Sequence, residues 1–212
     1  MKALRIECEG TDGAGKSTAL EYLVKKLQEK GKRIAKTREV GSPLIPVCVE
    51  MRKTVLDPES GMTGAEMEMV FAAMRVLNQA HYRKIEKDVD YIVSDRGWLS
   101  HLAYTDHNES VEFTNKLYNN LLATFTELPD IVLYFNVNTD TALKRRQKRG
   151  SGMDVIEMKG VEFQEKVRGS FMKYIETLPF STKVVIIDAN QDIDGARAQL
   201  DKVVELLELR NI

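Results

Sequence analysis

The stretch Gly10-Thr11-Asp12-Gly13-Ala14-Gly15-Lys16-Ser17 constrains this chain more than any other. It fits G-x-x-x-x-G-K-[ST], a loop whose backbone N–H groups turn inward around a polyphosphate. The flanks agree with that reading. Leu4-Arg5-Ile6-Glu7-Cys8-Glu9 alternates apolar and polar residues and reads as a strand, and Thr18 to Leu27 places apolar residues at helical spacing. A strand, a glycine loop and a helix form the geometry such a loop needs, because the helix adds the positive end of its dipole to the glycine turn. The motif predicts a cradle framed by Gly10, Gly13, Ala14 and Gly15. Lys16 would reach the β- and γ-phosphates, and the Ser17 hydroxyl would ligate Mg²⁺. A glycine-rich turn without a ligand is the bland alternative, and the flanks disfavour it.

Composition narrows the class. With 212 residues, the chain is long enough for one α/β domain with a full core, here read as a single domain over 1–212. The net charge of −1 supplies no global basic field, so no nucleic-acid partner is expected. Cys8 and Cys48 show neither metal spacing nor a disulfide framework, which fits a reducing, cytoplasmic setting. No signal peptide and no bilayer-spanning apolar run are visible, so no membrane partner is expected.

The rest of the chain alternates strand and helix patterns. After the Gly31 stop comes a short strand at 33–37, and a helix is predicted over Pro43 to Leu56, with Arg52 beside its apolar face. Asp57 to Gly61 breaks it, and a long helix is predicted from Gly64 to Val89. Met67, Val70, Phe71, Met74 and Leu77 read as its core stripe, with Phe71 and Arg75 on one side. Tyr91-Ile92-Val93-Ser94 reads as a buried parallel strand ending in Asp95-Arg96. Ligands in open α/β sheets bind beyond the carboxyl ends of the strands, so Asp95 and Arg96 should arrive at the phosphate loop. Trp98 reads as packing, and His101 alone would favour a structural role. Further elements are predicted as helix Glu109–Leu128, strand Ile131–Asn136, helix Thr139–Lys148, helix Val161–Leu178, strand Val184–Asp188 and helix Asp192–Leu209. The basic run Lys144 to Arg149, followed by Gly150-Ser151-Gly152, suggests a closing lid at about 145–157. The alternation implies a parallel, doubly wound sheet.

A phosphate loop alone could serve a switch GTPase, a motor ATPase or a kinase. The chain has no Asn-Lys-x-Asp guanine reader and no apolar strand ending in Asp-Glu. It does carry scattered arginines: Arg38, Arg52, Arg75, Arg96 and those near 145–149. A kinase whose acceptor is itself a phosphate must bring two polyanions together, and Lys, Arg and Mg²⁺ must cancel their repulsion. Such an acceptor is already largely a dianion at neutral pH, since its second pKa is about 6. A general base is then unnecessary, and catalysis is alignment plus charge neutralisation. These features favour a nucleoside monophosphate kinase.

Glu9-Gly10-Thr11-Asp12-Gly13-Ala14-Gly15-Lys16-Ser17-Thr18, Thr37-Arg38-Glu39, Phe71-Ala72-Ala73-Met74-Arg75 and Ser94-Asp95-Arg96 recur in one known family. So do Ser100 with Leu102-Ala103-Tyr104, Pro129 to Phe135, Ala142-Leu143-Lys144-Arg145-Arg146 and Ile187-Asp188-Ala189. Over nearly its whole length the chain resembles a thymidylate kinase. The resemblance implies a three-layer α/β/α P-loop NTPase fold of the nucleoside monophosphate kinase type, with a five-stranded parallel sheet. It implies ATP-dependent phosphorylation of dTMP, a small-molecule acceptor, Mg²⁺ and a homodimer. Lys16, Ser17 and Thr18 would hold the ATP phosphates, and Asp12 would lie near the acceptor's 3′-hydroxyl. Asp95 would help to hold Mg²⁺ through water, and Arg96, with Arg38 nearby, would grip the acceptor phosphate. Phe71 would stack on the base, Arg75 would donate to its O4 edge, and Arg52 would border that pocket. Tyr104 would crowd a ribose 2′-hydroxyl. Arg145 and Arg149 would belong to the lid, and Ala189 and Asn190 would border the adenine.

Departures fall near the acceptor. The family's Arg-Glu-Pro-Gly-Gly is Arg38-Glu39-Val40-Gly41-Ser42 here, and Gly97 stands where an aromatic residue or His is frequent. His101 and Thr105 replace a small polar residue and a common Gln, and a frequent lid Arg falls near Val155. Ser100 and His101 are therefore placed at the acceptor base, where His101 could read thymine, a 5-hydroxymethyl pyrimidine or another deoxynucleotide. Three other readings stand beside dTMP phosphorylation. One is a different or broader base preference. Another is a nucleoside kinase using Glu9 as base, and the third is a nucleotide-binding module without catalysis.

Overall fold

Leu4–Glu9 (β1), Ile34–Arg38 (β2), Tyr91–Asp95 (β3), Ile131–Asn136 (β4) and Lys183–Asp188 (β5) form one all-parallel sheet of order β2-β3-β1-β4-β5. These coordinates are a computed structural model that describes residues 2–107, 112–113, 115–117, 120, 127–149, 156 and 159–209. The helices are Lys16–Glu29 (α1), Pro46–Leu56 (α2), Gly64–Ile85 (α3), Trp98–Thr105 (α4), Thr139–Arg149 (α5), Gly160–Ile175 (α6) and Ile193–Leu209 (α7). They follow the strands as the alternation requires, and the five-stranded P-loop arrangement is present. No described helix is long and apolar enough to cross a membrane. The predicted helix Glu109–Leu128 and the glycine segment after Arg149 lie largely outside the described residues; 112–113, 115–117 and 120 are helical.

Two apolar layers clasp the sheet. On one face Leu20, Leu23 and Leu27 of α1, with Leu200, Val203 and Leu207 of α7, pack on Ile6, Cys8, Val93 and Leu133. On the other, Leu99 and Ala103 of α4 and Phe163, Val167 and Phe171 of α6 pack on Val132 and Tyr134. The central strand β1 thus has both faces covered. Its alternation places Ile6 and Cys8 in the apolar layer, while Arg5, Glu7 and Glu9 are buried against the α3/α4 side. Each of the three has a partner, as a buried polar group must. Arg5 donates to Gln79 (2.9 Å), Glu7 accepts from the Trp98 N–H (3.0 Å), and Glu9 accepts from the Ser100 N–H (3.0 Å).

Several boundaries move for local reasons. The α2 helix begins at Pro46 rather than Pro43, because Pro46 supplies the preset φ of a first helical residue. The α3 helix ends at Ile85, four residues before Val89, in a turn where Asp88 N–H donates to Ile85 O (2.9 Å). The predicted core stripe of α3 is also rotated. Met67 and Met74 are buried but Leu77 is exposed, and the buried face continues through polar residues, Glu68, Arg75, Asn78 and Gln79. Hydropathy could not find that face, because its partners are polar groups of distant segments: Arg5 of β1, the Arg38 carbonyl of β2, Glu39 just beyond it and His101 of α4.

Gly97 explains one departure at the sheet edge. Its φ is extended, so conformation does not require glycine there. Space does, since a Cβ on Gly97 would lie 1.9 Å from the Glu7 carboxyl carbon. Gly97→Ala should therefore destabilise the fold by about 1–3 kcal/mol, lowering Tm by about 2–4 °C per kcal/mol in a chain of this size. Glu7→Ala should recover part of the loss in the double variant. Calorimetric melting of the four proteins checks it, and an unchanged Tm in Gly97→Ala would refute it.

Candidate active site

The loop after β1 wraps the start of α1. Gly10, Gly13 and Gly15 all have positive φ (143°, 87° and 83°), which glycine adopts without strain. Gly13 is also held by space: a Cβ there would lie 2.4 Å from the Ala142 carbonyl oxygen, so α5 rests directly on the loop. Lys16 Nζ folds back over this turn and donates to the carbonyls of Gly10 (2.9 Å) and Thr11 (2.8 Å). Burial, then the nearby Arg96 charge, lowers Lys16 to about 8.

Arg96 comes from the end of β3 and takes φ 68°, the left-handed region that a non-glycine residue rarely visits. Its N–H is fixed by Cys8 O (2.9 Å), so pairing with β1 continues past the strand. The guanidinium Nη1 donates to Gly10 O (2.8 Å) and to Ser100 Oγ (2.9 Å). Nη2 pairs with Asp12 and donates to Tyr104 Oη (3.2 Å). Tyr104 in turn donates to Asp12 Oδ2 (2.9 Å). Burial alone would raise the Asp12 carboxyl. Arg96 and Lys16 reverse this and hold it well below the usual carboxylate range. Lys16 and Arg96 thus share one acceptor, the Gly10 carbonyl, as convergence on one mouth requires.

The phosphate loop floors a cleft of about 920 Å³. Lys16, Arg38, Arg52, Arg96, Arg145, Arg146 and Arg197 face it, against Asp12, Asp95 and Asp192. This excess of cations suits two polyanions. Ser17 Oγ donates to Asp95 Oδ2 (2.9 Å), setting a hydroxyl beside a carboxylate at the mouth. That pair fits Mg²⁺, which takes one or two protein oxygens and fills its octahedron with phosphates and water. Among the described residues no cluster of three or more His, Cys, Asp or Glu suggests another kind of metal site.

Of the residues singled out from sequence, Asp12 to Thr18, Arg38, Arg52, Asp95, Arg96 and Arg145 line this cleft. Arg52 reaches it over Gly41, donating to Val40 O (2.9 Å). Phe71, Arg75, Ser100, His101 and Tyr104 do not line the same cleft, although Ser100 and Tyr104 touch the Arg96 guanidinium. Arg75 is buried, 3.6 Å from Glu39 and over the Trp98 ring. His101 is buried beside Trp98 and Thr105, 3.9 Å from Glu68. Burial, then the Arg75 charge, pushes it well below the usual imidazole range and keeps it neutral. Asn190 stands beside the cleft, its Nδ2 donating to Asp188 (2.9 Å), and Gln191 takes the lining position. Glu9 is spent on Ser100 and does not line the cleft. The Arg149 side chain and residues 150–155 lie outside the described part. Arg146, of the basic run marked in the sequence, also lines the cleft; Tyr22 and Arg197 line it and had not been singled out, and for Tyr22 the available signal was spacing, one turn past Thr18.

Because Lys16 sits at about 8 in the folded chain, against an ordinary value of about 10.4, the unfolded chain binds the extra proton between those values. Stability should therefore rise with pH across that window, and the rise should vanish in Lys16→Met. Polyphosphate binding at pH 8.5 should also draw a proton onto Lys16. Titration calorimetry of ADP in buffers of different ionisation enthalpy should show net uptake at pH 8.5, smaller at pH 6.5 and missing in Lys16→Met.

The thymidylate kinase family profile matches residues 8–200. The thymidylate kinase of Exiguobacterium sp. is 32% identical over 212 residues, covering 98% of this chain and 97% of the relative. That of Enterococcus faecalis is 31% identical over 211 residues, covering 97% and 93%. That of Halalkalibacterium halodurans is 29% identical over 209 residues, covering 96% and 97%. With this loop, this sheet and these full-length relatives, the chain belongs to the thymidylate kinase family.

Proposed function

We propose that this protein transfers the γ-phosphoryl group of ATP to dTMP, giving ADP and dTDP. The observation that carries the reading is the single carbonyl, Gly10 O, that accepts from both Lys16 and Arg96. One cation belongs to the donor's loop and the other to a separate strand, so two phosphate groups can be held edge to edge. ATP lies along Gly13 to Thr18, with its base toward Arg145 and the segment of Ala189, Asn190 and Gln191. The acceptor phosphate takes Arg96, with Arg38 and Arg52 nearby. Its nucleoside extends toward Phe71, Arg75, Ser100, His101 and Tyr104, with Asp12 near the 3′-hydroxyl. Ser17 and Asp95 hold Mg²⁺, which when bound neutralises the donor phosphates. The acceptor is a dianion and needs no base, so the residues align and neutralise.

Two further parts of the reading concern setting. Met69, Ala73 and Leu77 form an exposed apolar stripe at i, i+4 and i+8 on α3, and a second copy of the chain covers it in a homodimer. The free, buried thiols of Cys8 and Cys48 suit the cytoplasm.

A coupled ADP-release assay across dTMP, dUMP, 5-hydroxymethyl-dUMP, dGMP, dAMP and thymidine tests the activity. dTMP should be turned over fastest and thymidine not at all; turnover of another monophosphate in its place would reverse the assignment. Arg96→Ala should cut kcat by about 10²–10³-fold in a protein that still melts cooperatively. For the dimer, Leu77→Glu should shift the sedimenting species to half its mass, and a native protein that sediments as a monomer would remove it.

A further inference from the structure

The cleft does not end at the phosphate loop. Beyond Thr18 it runs on between α1 and α7, where Ala19, Tyr22, Ile193, Ala196 and Arg197 line it. Tyr22 stands one turn past Thr18, about 6 Å further along α1. A nucleotide whose phosphates lie on the loop therefore has its sugar and base within reach of this branch. The Tyr22 ring is held in place from α7. Its hydroxyl donates to Asp201 (2.8 Å), and the Arg197 guanidinium lies over the ring, its central carbon 5.4 Å from the centroid. Lys26 Nζ lies over the same ring, at 5.3 Å. Arg197 Nη1 also donates to Asp194 (3.2 Å), one turn back on α7. The contacts among Asp201, Tyr22, Arg197 and Asp194 thus seat the guanidinium at the cleft wall. The Arg197 side chain is still 45% exposed, so the group keeps an open side. Arg145, by contrast, spends its Nη1 on Ala189 O (2.8 Å) and its Nη2 on Gln191 O (3.0 Å), which fixes the connection leading into this branch. Ala19 and Ala196 leave room for a flat ring. A planar cation seated on an aromatic ring, with its other side open, is a surface for a second π system.

We propose that Arg197 is a specificity-determining residue for the phosphoryl donor: its guanidinium, seated on Tyr22, stacks on the base of the nucleoside triphosphate and favours two-ring purines over one-ring pyrimidines. Tyr22 is a positioning residue that acts through Arg197. This deepens the reading of the cleft as the ATP site and rests on it. Bases stack on arginine planes as they do on aromatic rings, and a purine covers more of such a plane than a pyrimidine does. Asp194 offsets much of the Arg197 charge, so the base meets a plane rather than a bare cation. The base is remote from the transferring phosphorus, and the stack is the same before and during the transfer. It is therefore uniform binding, which enters the KM of the donor and leaves kcat alone.

The test measures steady-state kinetics at saturating dTMP with ATP, GTP, CTP and UTP as donors. It adds calorimetric affinities for ADP and for inorganic tripolyphosphate, which has no base. The native enzyme should show a lower KM for ATP and GTP than for CTP and UTP. Arg197→Ala should raise the KM for ATP by about 3–30-fold, shrink the purine preference by a similar factor and change kcat by less than about twofold. Its ADP affinity should fall in step, while its tripolyphosphate affinity holds. Arg197→Lys keeps the charge but not the plane, so it should lose the preference as well. Tyr22→Leu should reproduce the loss, and Tyr22→Phe, which keeps the ring, should recover most of it. An unchanged KM for ATP or an unchanged purine preference in Arg197→Ala overturns the proposal. So does a fall in tripolyphosphate affinity as large as that for ADP, which would make Arg197 a phosphate cation. A native preference in Tyr22→Leu removes the part given to Tyr22. Should Arg197→Ala fail to fold, Arg197→Lys decides on the same readouts, and a native preference there overturns the proposal. A native enzyme that is inactive with every triphosphate overturns both readings, whereas an active one without purine preference overturns only this one.

Discussion

One backbone oxygen organises the cation cluster of this protein. The Gly10 carbonyl accepts from the Lys16 ammonium and from the Arg96 guanidinium, so two like charges from different elements are drawn to one point. Burial first and their mutual repulsion second lower the Lys16 value, and Asp12 offsets part of both. Everything else positions those groups. Glycine at 10 turns the carbonyl inward, the continued pairing of Arg96 N–H with Cys8 aligns the end of β3, and Ser100 steadies the guanidinium from α4.

The order of that alignment comes from the central strand. Glu7 and Glu9 cap the first turn of α4, accepting from the Trp98 and Ser100 N–H groups that a helix start leaves unmet. Burial raises both carboxyls, and for Glu9 the Ser100 hydrogen bonds and the Arg96 charge oppose the rise. The short segment between β3 and α4 is therefore clamped at both ends. A strand that reads as half polar is in fact buried on both faces, with its charges employed in aiming a neighbour.

Much of this architecture was legible in the residues. The phosphate loop, the alternation of strands and helices and the arrival of Asp95-Arg96 at the loop follow from local pattern and from the rule for open sheets. What escaped was the set of pairings that depend on distant segments. Leu77 fits a helical stripe, yet α3 turns Glu68, Arg75, Asn78 and Gln79 inward, and Arg75 and Gln79 reach the charges of Glu39 and Arg5. Gly97 looks like a lost aromatic until the Glu7 carboxyl is found in the space its side chain would fill. Arg145 and Arg146 are equivalent in a basic run. Only the carbonyls of Ala189 and Gln191 tell them apart, and those come from the end of the neighbouring strand β5, 44 and 46 residues on in the chain.

The triangle of Asp12, Tyr104 and Arg96 also bears on selectivity. With no acceptor nearby, the guanidinium is already neutralised by a carboxylate tethered to the same loop. On the proposed reading, an incoming phosphate ester would compete with that internal rival for the Nη2 edge. A singly charged group carries no electrostatic advantage over it, whereas a doubly charged one does. On the proposed reading the triangle would act as an ion exchanger, ranking molecules by valence before their shape is read.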